Sequence, residues 1–253
     1  MYLGQQVTTI IPALNESSVI GNVIQALFSL EANGTQVIDR IVVCDNGSTD
    51  NTAEISTALG AEVVYEPCRG YGAACLKAVG AVMHTDILVF VNADGSEKIQ
   101  ELPDLLDPIL KHGADLVIGS RMLGVPEIHA LSPQQIFGNR LASLLIRAIW
   151  KAPVTDLGPF RAIRFPAYRC LQMRDQDYGW TIEMQLKAIR YGLNMIEVPV
   201  TALCGKTPSV ISGTLRGALG AAYKIIGTIL LYGFIDKLLS QKLHVQGTVG
   251  RNI

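Results

Sequence analysis

The sequence predicts an α/β fold: a Rossmann-like, mostly parallel sheet flanked by helices, followed by an apolar C-terminal helix. Three observations carry that prediction. Short apolar or β-branched runs at Val7 to Ile11, Arg40 to Cys44, Glu62 to Tyr65 and Ile87 to Val91 each stop at polar or turn residues, and helical periodicity follows. With 253 residues, 49% of them hydrophobic and 17% charged, the chain can fill one large core and is too apolar for disorder. Strands alternating with helices need crossover connections, which are right-handed and cover the sheet faces.

Val7 to Ile11 is the first strand, ended by Pro12. The loop ALNESS then opens a helix with Val19, Ile20, Val23, Ile24 and Leu27 on one face. Asn15 and Glu16 fall in that loop at the strand's carboxyl end, where Glu16 also complements the helix dipole. After the second strand, Arg40 to Cys44, Asp45 opens the polar loop Asp45-Asn46-Gly47-Ser48-Thr49-Asp50. Thr52 to Leu59 is a helix stopped by Gly60, and Glu62 to Tyr65 is the third strand. Arg69-Gly70-Tyr71-Gly72 leads into a helix of small residues that runs to about Met83. Gly70-x-Gly72 falls short of a dinucleotide fingerprint. Cys75 holds the third glycine position, and no acidic residue ends a strand where a ribose partner belongs.

Ile87 to Val91 is an apolar strand that stops abruptly at Asn92, Ala93, Asp94, Gly95 and Ser96. Oxygen-bearing side chains at such a strand end, with Gly95 allowing a tight turn, suit a hard divalent cation held against a diphosphate. The alternative is a turn whose Asp94 caps the next helix. Leu102 to Lys111 is a helix and Asp115 to Ile118 a strand, after which Gly119-Ser120-Arg121 delivers a cation suited to phosphate. Pro133 to Trp150 is a helix, with Pro133 in the first turn behind Ser132 and with Asn139, Arg140 and Arg147 as its polar interruptions. Thr155 to Arg161 is a turn-rich segment feeding a strand, Trp180 to Arg190 is a helix carrying Glu183, and Met195 to Val198 is the last strand.

Thr214 to Leu239 is the most apolar helical stretch. Its uninterrupted part, Ile225 to Ile235, is shorter than the ~20 residues of a membrane span, and its glycines lower helical propensity. An interfacial helix with its apolar face in lipid is therefore expected, with a core or dimer-contact helix as the alternative. This divides the chain into residues 1–205 and a basic, apolar extension at 206–253. Beyond Thr201 the basic residues are Lys206, Arg216, Lys224, Lys237, Lys242 and Arg251 against Asp236 alone, which suits an anionic surface or phosphate. A net charge of −1 gives no nucleic-acid footprint. Five cysteines without CxxC or Cys/His metal spacing fit a reduced, cytoplasmic setting, and MYLGQQVTTI shows no leader pattern. Self-association into a homo-oligomer is compatible with the sequence.

Taken together, TTIIPALNES, IVVCDNGSTDNT, RGYGAAC, VFVNADGS and GSR, in that order and spacing, resemble the family 2 glycosyltransferases of GT-A fold. Within them the chain is similar to the polyprenyl- or dolichyl-phosphate sugar synthases for mannose or glucose and their bacterial relatives, over Val7 to Phe234. The resemblance implies an inverting enzyme that moves a hexose from UDP-glucose or GDP-mannose, the former favoured, to a polyprenyl or dolichyl phosphate. It implies Mg²⁺ or Mn²⁺ as cofactor and a peripheral position at the inner face of the membrane. By the same resemblance, Pro12, Ala13, Leu14 and Glu16 form the first nucleotide-contacting loop. Asp45 hydrogen-bonds the base, and Arg69 and Gly70 cover the nucleotide. Asn92, Ala93 and Asp94 occupy the D-x-D segment, with Asn92, Asp94 and Ser96 as metal ligands, and Arg121 lies near the diphosphate. The segments Asp156 to Ile163 and Gly179 to Ala188 line the acceptor side, with Arg161 and Glu183 as their functional residues.

Two departures stand out. The first carboxylate of D-x-D is the neutral Asn92, and Ser96 stands where many lipid-phosphate enzymes carry Gln. Relatives also tend to carry Gly-Lys-Ser-Lys-Ile-Ser-Gly near the C-terminus. Here the run is Gly205-Lys206-Thr207-Pro208-Ser209-Val210-Ile211-Ser212-Gly213, so Val210 replaces a lysine and Lys206, Ser212 and Arg216 remain as acceptor-phosphate donors. These changes motivate an alternative, a weak or inactive nucleotide-sugar-binding protein. A nucleotidyltransferase does not fit, because Pro12-Ala13-Leu14-Asn15 replaces its glycine-rich loop. A phosphate acceptor is already ionised at neutral pH and needs no strong base, whereas a soluble hydroxyl acceptor would need one, from Asp156 or Glu183.

Overall fold

The computed structural model describes residues 1–125, 127–128, 130–205 and 223–237. Strand β1 (Val7–Ala13) leads to helix α1 (Ile20–Phe28) and then to a short hairpin, β2 (Glu31–Ala32) and β3 (Thr35–Gln36). The hairpin turns on Asn33 and Gly34, whose φ angles of 55° and 71° are the pair a two-residue turn between twisted strands requires. Then come β4 (Arg40–Asp45), α2 (Thr52–Ala58), β5 (Glu62–Tyr65), α3 (Tyr71–Gly80) and β6 (Ile87–Phe90). The later elements are α4 (Leu102–His112), β7 (Leu116–Ser120), α5 (Pro133–Trp150), β8 (Arg161–Arg164), α6 (Phe165–Leu171), α7 (Trp180–Arg190) and β9 (Met195–Pro199). Residues 223–237 form helix α8, and the rest of the expected 214–239 stretch lies outside the described residues.

Seven strands make one sheet in the order β5-β4-β1-β6-β8-β7-β9, parallel except for β8. The sheet is therefore mostly parallel, as expected. The chain leaves β7 at its carboxyl end, runs through α5 and re-enters from that same end, so β8 must run against β6 and β7. From β1 the chain builds outward to β4 and β5, then returns to place β6 on the other side of β1, creating a switch point between β1 and β6.

Register explains why a proline is tolerated in a central strand. β1 pairs with β6 only over Val7–Ile10, whereas its pairing with β4 continues to Ala13 opposite Asp45. Pro12 thus sits where β1 has lost one neighbour, and its missing N–H costs no ladder bond on that side. The same parting of β1 and β6 opens a crevice at the strand ends.

Alternation sorts the strand side chains onto two cores. Val7, Ile11, Val43 and Val89 pack on one face with α1 and α4, while Ile10, Val42, Leu88 and Phe90 pack on the other with α3, α6 and α7. A third cluster lies beyond the sheet, where Ala142 and Ile146 of α5, Ile182 and Leu186 of α7 and Ile229 of α8 meet. Helix α8 is held there further by Arg190–Asp236 (2.8 Å), Lys224–Asp175 (3.2 Å) and a Trp150 indole N–H donated to Asp236. One face of α8 is thus packed on protein, while Leu230, Leu231 and Phe234 point outward, as do Phe137 and Leu144 of α5. Among the described residues no helix is long and apolar enough to cross a membrane.

Candidate active site

The loops after β1, β4, β6 and β7 all lie at the carboxyl ends of parallel strands, and each carries polar groups that the sequence singled out. The first two loops fix one another. Asn15, at φ 57°, gives its N–H to Ser48 Oγ and accepts the Thr49 N–H on its side chain; the Glu16 N–H goes to Thr52 Oγ1 and the Ser17 N–H to Asp50. Pro12, Leu14 and Glu16 are half-buried and Ala13 is buried. Asp45 is buried, with Oδ1 accepting the Ser48 N–H at 3.0 Å.

Asn46, in the polar loop after β4, is the main staple of the next segment. Its side-chain N–H groups go to the carbonyls of Glu66 and Cys68, and its carbonyl accepts the Gly70 N–H, at 2.8–2.9 Å. Arg69 is exposed beside this staple. The two glycines of Gly70-Tyr71-Gly72 allow close packing against the 175–176 backbone. A Cβ at Gly70 would lie 2.1 Å from the Gln176 carbonyl, and one at Gly72 would lie 2.1 Å from that of Asp175. The Ala73 N–H donates to Gln176 O across the same contact.

At the end of β6, Asn92, Asp94 and Ser96 are half-buried and Ala93 is buried. Asp94 Oδ1 accepts the Ser96 N–H at 3.0 Å. Among the described residues no three His, Cys, Asp or Glu side chains are grouped to hold a metal by themselves. A hard cation would fit Asp94 only with substrate phosphate oxygens completing its shell, a mode of binding common for Mg²⁺. Behind this loop stands Glu97, a residue not singled out in the sequence. It is buried, and burial together with the Asp94 charge pushes its carboxyl up to about 8, against the pull of Arg121.

Arg121 is anchored by Asp156. Its backbone N–H and Nε donate to Asp156 Oδ2 and its Nη2 to Oδ1, all at 2.8 Å; Asp156 is fully buried, while the Arg121 side chain keeps a quarter of its surface exposed. That clamp is bidentate and aims the guanidinium. The arrangement makes Asp156 the partner of Arg121, both oxygens engaged, rather than an available base.

Arg161 and Glu183 are likewise drawn inward. Arg161 is fully buried and donates to the carbonyls of Gly158, Leu157 and Thr181, with the Trp180 ring 5.9 Å away; burial lowers it to about 10. Its role is to hold the turn before β8 against α7. Glu183 accepts the N–H groups of Arg174 and Asp175 and pairs with Lys187 at 2.7 Å, both side chains being nearly buried. It therefore fixes the 174–175 backbone that faces Gly70 and Gly72. Lys206, Ser212 and Arg216 lie outside the described residues.

The family profile described as "Glycosyl transferase family 2" matches residues 8–172. An uncharacterised glycosyltransferase of Mycobacterium tuberculosis is 34% identical over 219 residues, covering 85% of this chain and 94% of that one. An undecaprenyl-phosphate mannosyltransferase of Micrococcus luteus is 27% identical over 208 residues, covering 78% and 83%. Among solved structures, glucosyl-3-phosphoglycerate synthase of M. tuberculosis in complex with Mn²⁺, UDP and glucosyl-3-phosphoglycerate shares the fold. Its TM-score is 0.70 at 24% identity, covering 90% of this chain and 80% of that one.

Proposed function

Because this chain belongs to glycosyltransferase family 2 and is a glycosyltransferase, we propose that it transfers a hexose from a nucleotide sugar, UDP-glucose or GDP-mannose, with inversion, to a polyprenyl phosphate. One observation carries the choice of acceptor. Asp156 and Glu183, the two carboxylates that would have to deprotonate a hydroxyl acceptor, are both occupied, by Arg121 in one case and by Lys187 and backbone N–H groups in the other. A lipid monophosphate loses its second proton near pH 6 and so brings its own nucleophilic oxygen. The outward apolar side chains of α5 and α8 and the undecaprenyl-phosphate mannosyltransferase among the relatives support the same reading. They also support a peripheral contact with the membrane, in which residues 206–253 act as the basic, apolar extension with Lys206, Ser212 and Arg216 toward the acceptor phosphate.

The chain's own residues divide the work. Pro12 to Glu16 and Asp45 border the space for the nucleoside, and Arg69 and Gly70 cover it from the Asn46 staple. Asp94, with Asn92 and Ser96, would hold Mg²⁺ or Mn²⁺, as Mn²⁺ accompanies UDP in the M. tuberculosis synthase. When bound, such an ion supplies charge neutralisation for the departing diphosphate. Arg121 faces the same developing charge, already oriented by Asp156, so little reorganisation is needed as the anomeric bond breaks.

The test is a transfer assay with purified protein, Mg²⁺ or Mn²⁺, radiolabelled UDP-glucose and GDP-mannose, and polyprenyl phosphate in detergent. Label from one donor moving into the organic phase is the expected result. Metal-dependent release of nucleoside diphosphate only with a soluble hydroxyl acceptor, such as phosphoglycerate, would overturn the acceptor. Nucleotide-sugar binding without turnover on any acceptor would favour the inactive-binder alternative.

A further inference from the structure

Asp156 lies in a stretch, residues 151–160, that carries no helix or strand. The buried peptide groups around it have no ladder to join and must be paired from elsewhere. Side chains of three elements do this. Glu197 of β9 accepts the Thr155 N–H at 3.0 Å, and Gln185 of α7 donates to the Asp156 carbonyl at 2.8 Å. Asn139 of α5 makes two bonds: its Nδ2 donates to the Thr155 carbonyl at 3.1 Å and its Oδ1 accepts the Leu157 N–H at 2.9 Å. One side chain thus grips the peptide groups on both sides of Asp156.

The residue type fits that task. An amide both donates and accepts, which an ionised aspartate or a leucine at the same place would not do. Asn139 is only 9% exposed, so its loss would leave two peptide groups unpaired. What depends on the grip is the fully buried Asp156 carboxylate, whose Oδ2 accepts the Arg121 N–H and Nε and whose Oδ1 accepts Nη2. A bidentate pair is sensitive to orientation, so a turn of the 155–157 backbone would swing the guanidinium with it. Asn139 also joins Arg121 to α5, the helix that carries the outward Phe137 and Leu144.

We propose that Asn139 is a positioning residue of the diphosphate site, acting on the leaving group through Asp156 and Arg121. The inference rests on the role proposed above for Arg121, facing the charge that develops on the departing diphosphate, and deepens it by naming what aims the Asp156 clamp. Asn139 needs no contact with the substrate for this. Its influence on the nucleotide should exist only while Arg121 is there to transmit it.

The test is a double-mutant cycle on the full chain, read as UDP and GDP affinity by titration calorimetry with Mn²⁺. Asn139→Ala should weaken the diphosphate that the parent binds by about tenfold. In an Arg121→Gln background, which removes the charge and leaves an amide to pair with Asp156, the same substitution should cost less than about twofold. A loss of equal size in both backgrounds would show that Asn139 serves the fold alone. Binding by Asn139→Ala within about twofold of the parent would show that Arg121 needs no such aim. Either result overturns the proposal and leaves the role of Arg121 standing. If Arg121→Gln binds as tightly as the parent, or the parent binds neither UDP nor GDP, that role falls and the proposal with it. Should Asn139→Ala fail to fold, Asn139→Ser, too short to span both peptide groups, decides by the same comparison.

Discussion

Around the ends of β1, β4 and β6, polar side chains hold backbone. Asn15, Asn46 and Asp50 each accept from or donate to main-chain groups of a neighbouring loop and Asp45 accepts from its own, so the proposed donor side is a set of loops stapled to one another. Around α5, α7 and α8 the joints are packing and ion pairs between helices, through Ile146, Leu186 and Ile229 and through Arg190–Asp236, with apolar side chains still turned to the surface. Stapled loops preserve a fixed shape. Helices joined by packing leave room for a variable, partly apolar partner. The names of the similar proteins differ in acceptor, undecaprenyl phosphate in one and phosphoglycerate in the other, and the contrast suits the proposal that the stapled side takes the donor.

The largest effect expected to sharpen this contrast comes from Asp94→Ala. Transfer should fall by roughly 10²–10³ or more, while circular dichroism and melting temperature stay near those of the parent, since Asp94 is half-buried at a strand end. Full metal-dependent activity would remove Asp94 from the site. Asp156→Asn acts at the seam between the two regions. Leaving Arg121 without its buried counter-charge should cost about 3 kcal/mol in urea unfolding and lower kcat more than it raises the donor KM. A variant with unchanged kcat would mean that Arg121 needs no aiming. Asn46→Ala strips partners from the Glu66 and Cys68 carbonyls and the Gly70 N–H, so about 2 kcal/mol of stability should go, together with nucleotide affinity. Calorimetry with UDP and GDP would reveal the loss.

On the other side, Leu144→Ser combined with Phe234→Ser should reduce sedimentation with anionic vesicles by about tenfold, a loss on the order of 1.4 kcal/mol from two apolar anchors, and leave nucleotide binding unchanged. Equal vesicle binding would move the membrane contact elsewhere. The smallest effect is chemical. Cys68, Cys170 and Cys204 are exposed, whereas Cys44 and Cys75 are buried and burial pushes the Cys44 thiol up to about 12. A thiol reagent should therefore modify the first group in the native protein, with nucleotide protecting Cys68 beside Arg69 and not Cys170. Equal protection of both would break the division between the two sides.

The donor side was largely legible because its signals are local. A β-branched run followed by a polar loop places Asp45 or Asp94 at a strand end whatever the rest of the chain does, and those placements match the structure. The strands flanking Asn33-Gly34 are only two residues each, too short to show alternation, and α6, at seven residues starting with Phe165-Pro166, is too short to show a period. The acceptor side depends on pairings across long separations. Asp156 looks like a free acid until Arg121, 35 residues earlier, is seen to occupy it, and Glu183 until the 174–175 backbone folds over it. Glu97 is buried because the chain at 202–203 crosses behind it, and no spacing near residue 97 announces that.

The contact of Gly70 and Gly72 with the 175–176 backbone carries a consequence for kinetics. Asp175 pairs in turn with Lys224 of α8, so a short chain of contacts joins the loop over the nucleotide to the outermost helix. If a nucleotide draws Arg69 inward, these contacts would carry the movement toward the proposed acceptor side. The two substrates should then bind in a fixed order, donor first. Nucleoside diphosphate would inhibit competitively against the nucleotide sugar and noncompetitively against the acceptor, and larger residues at Gly72 would make the order random before they abolished turnover.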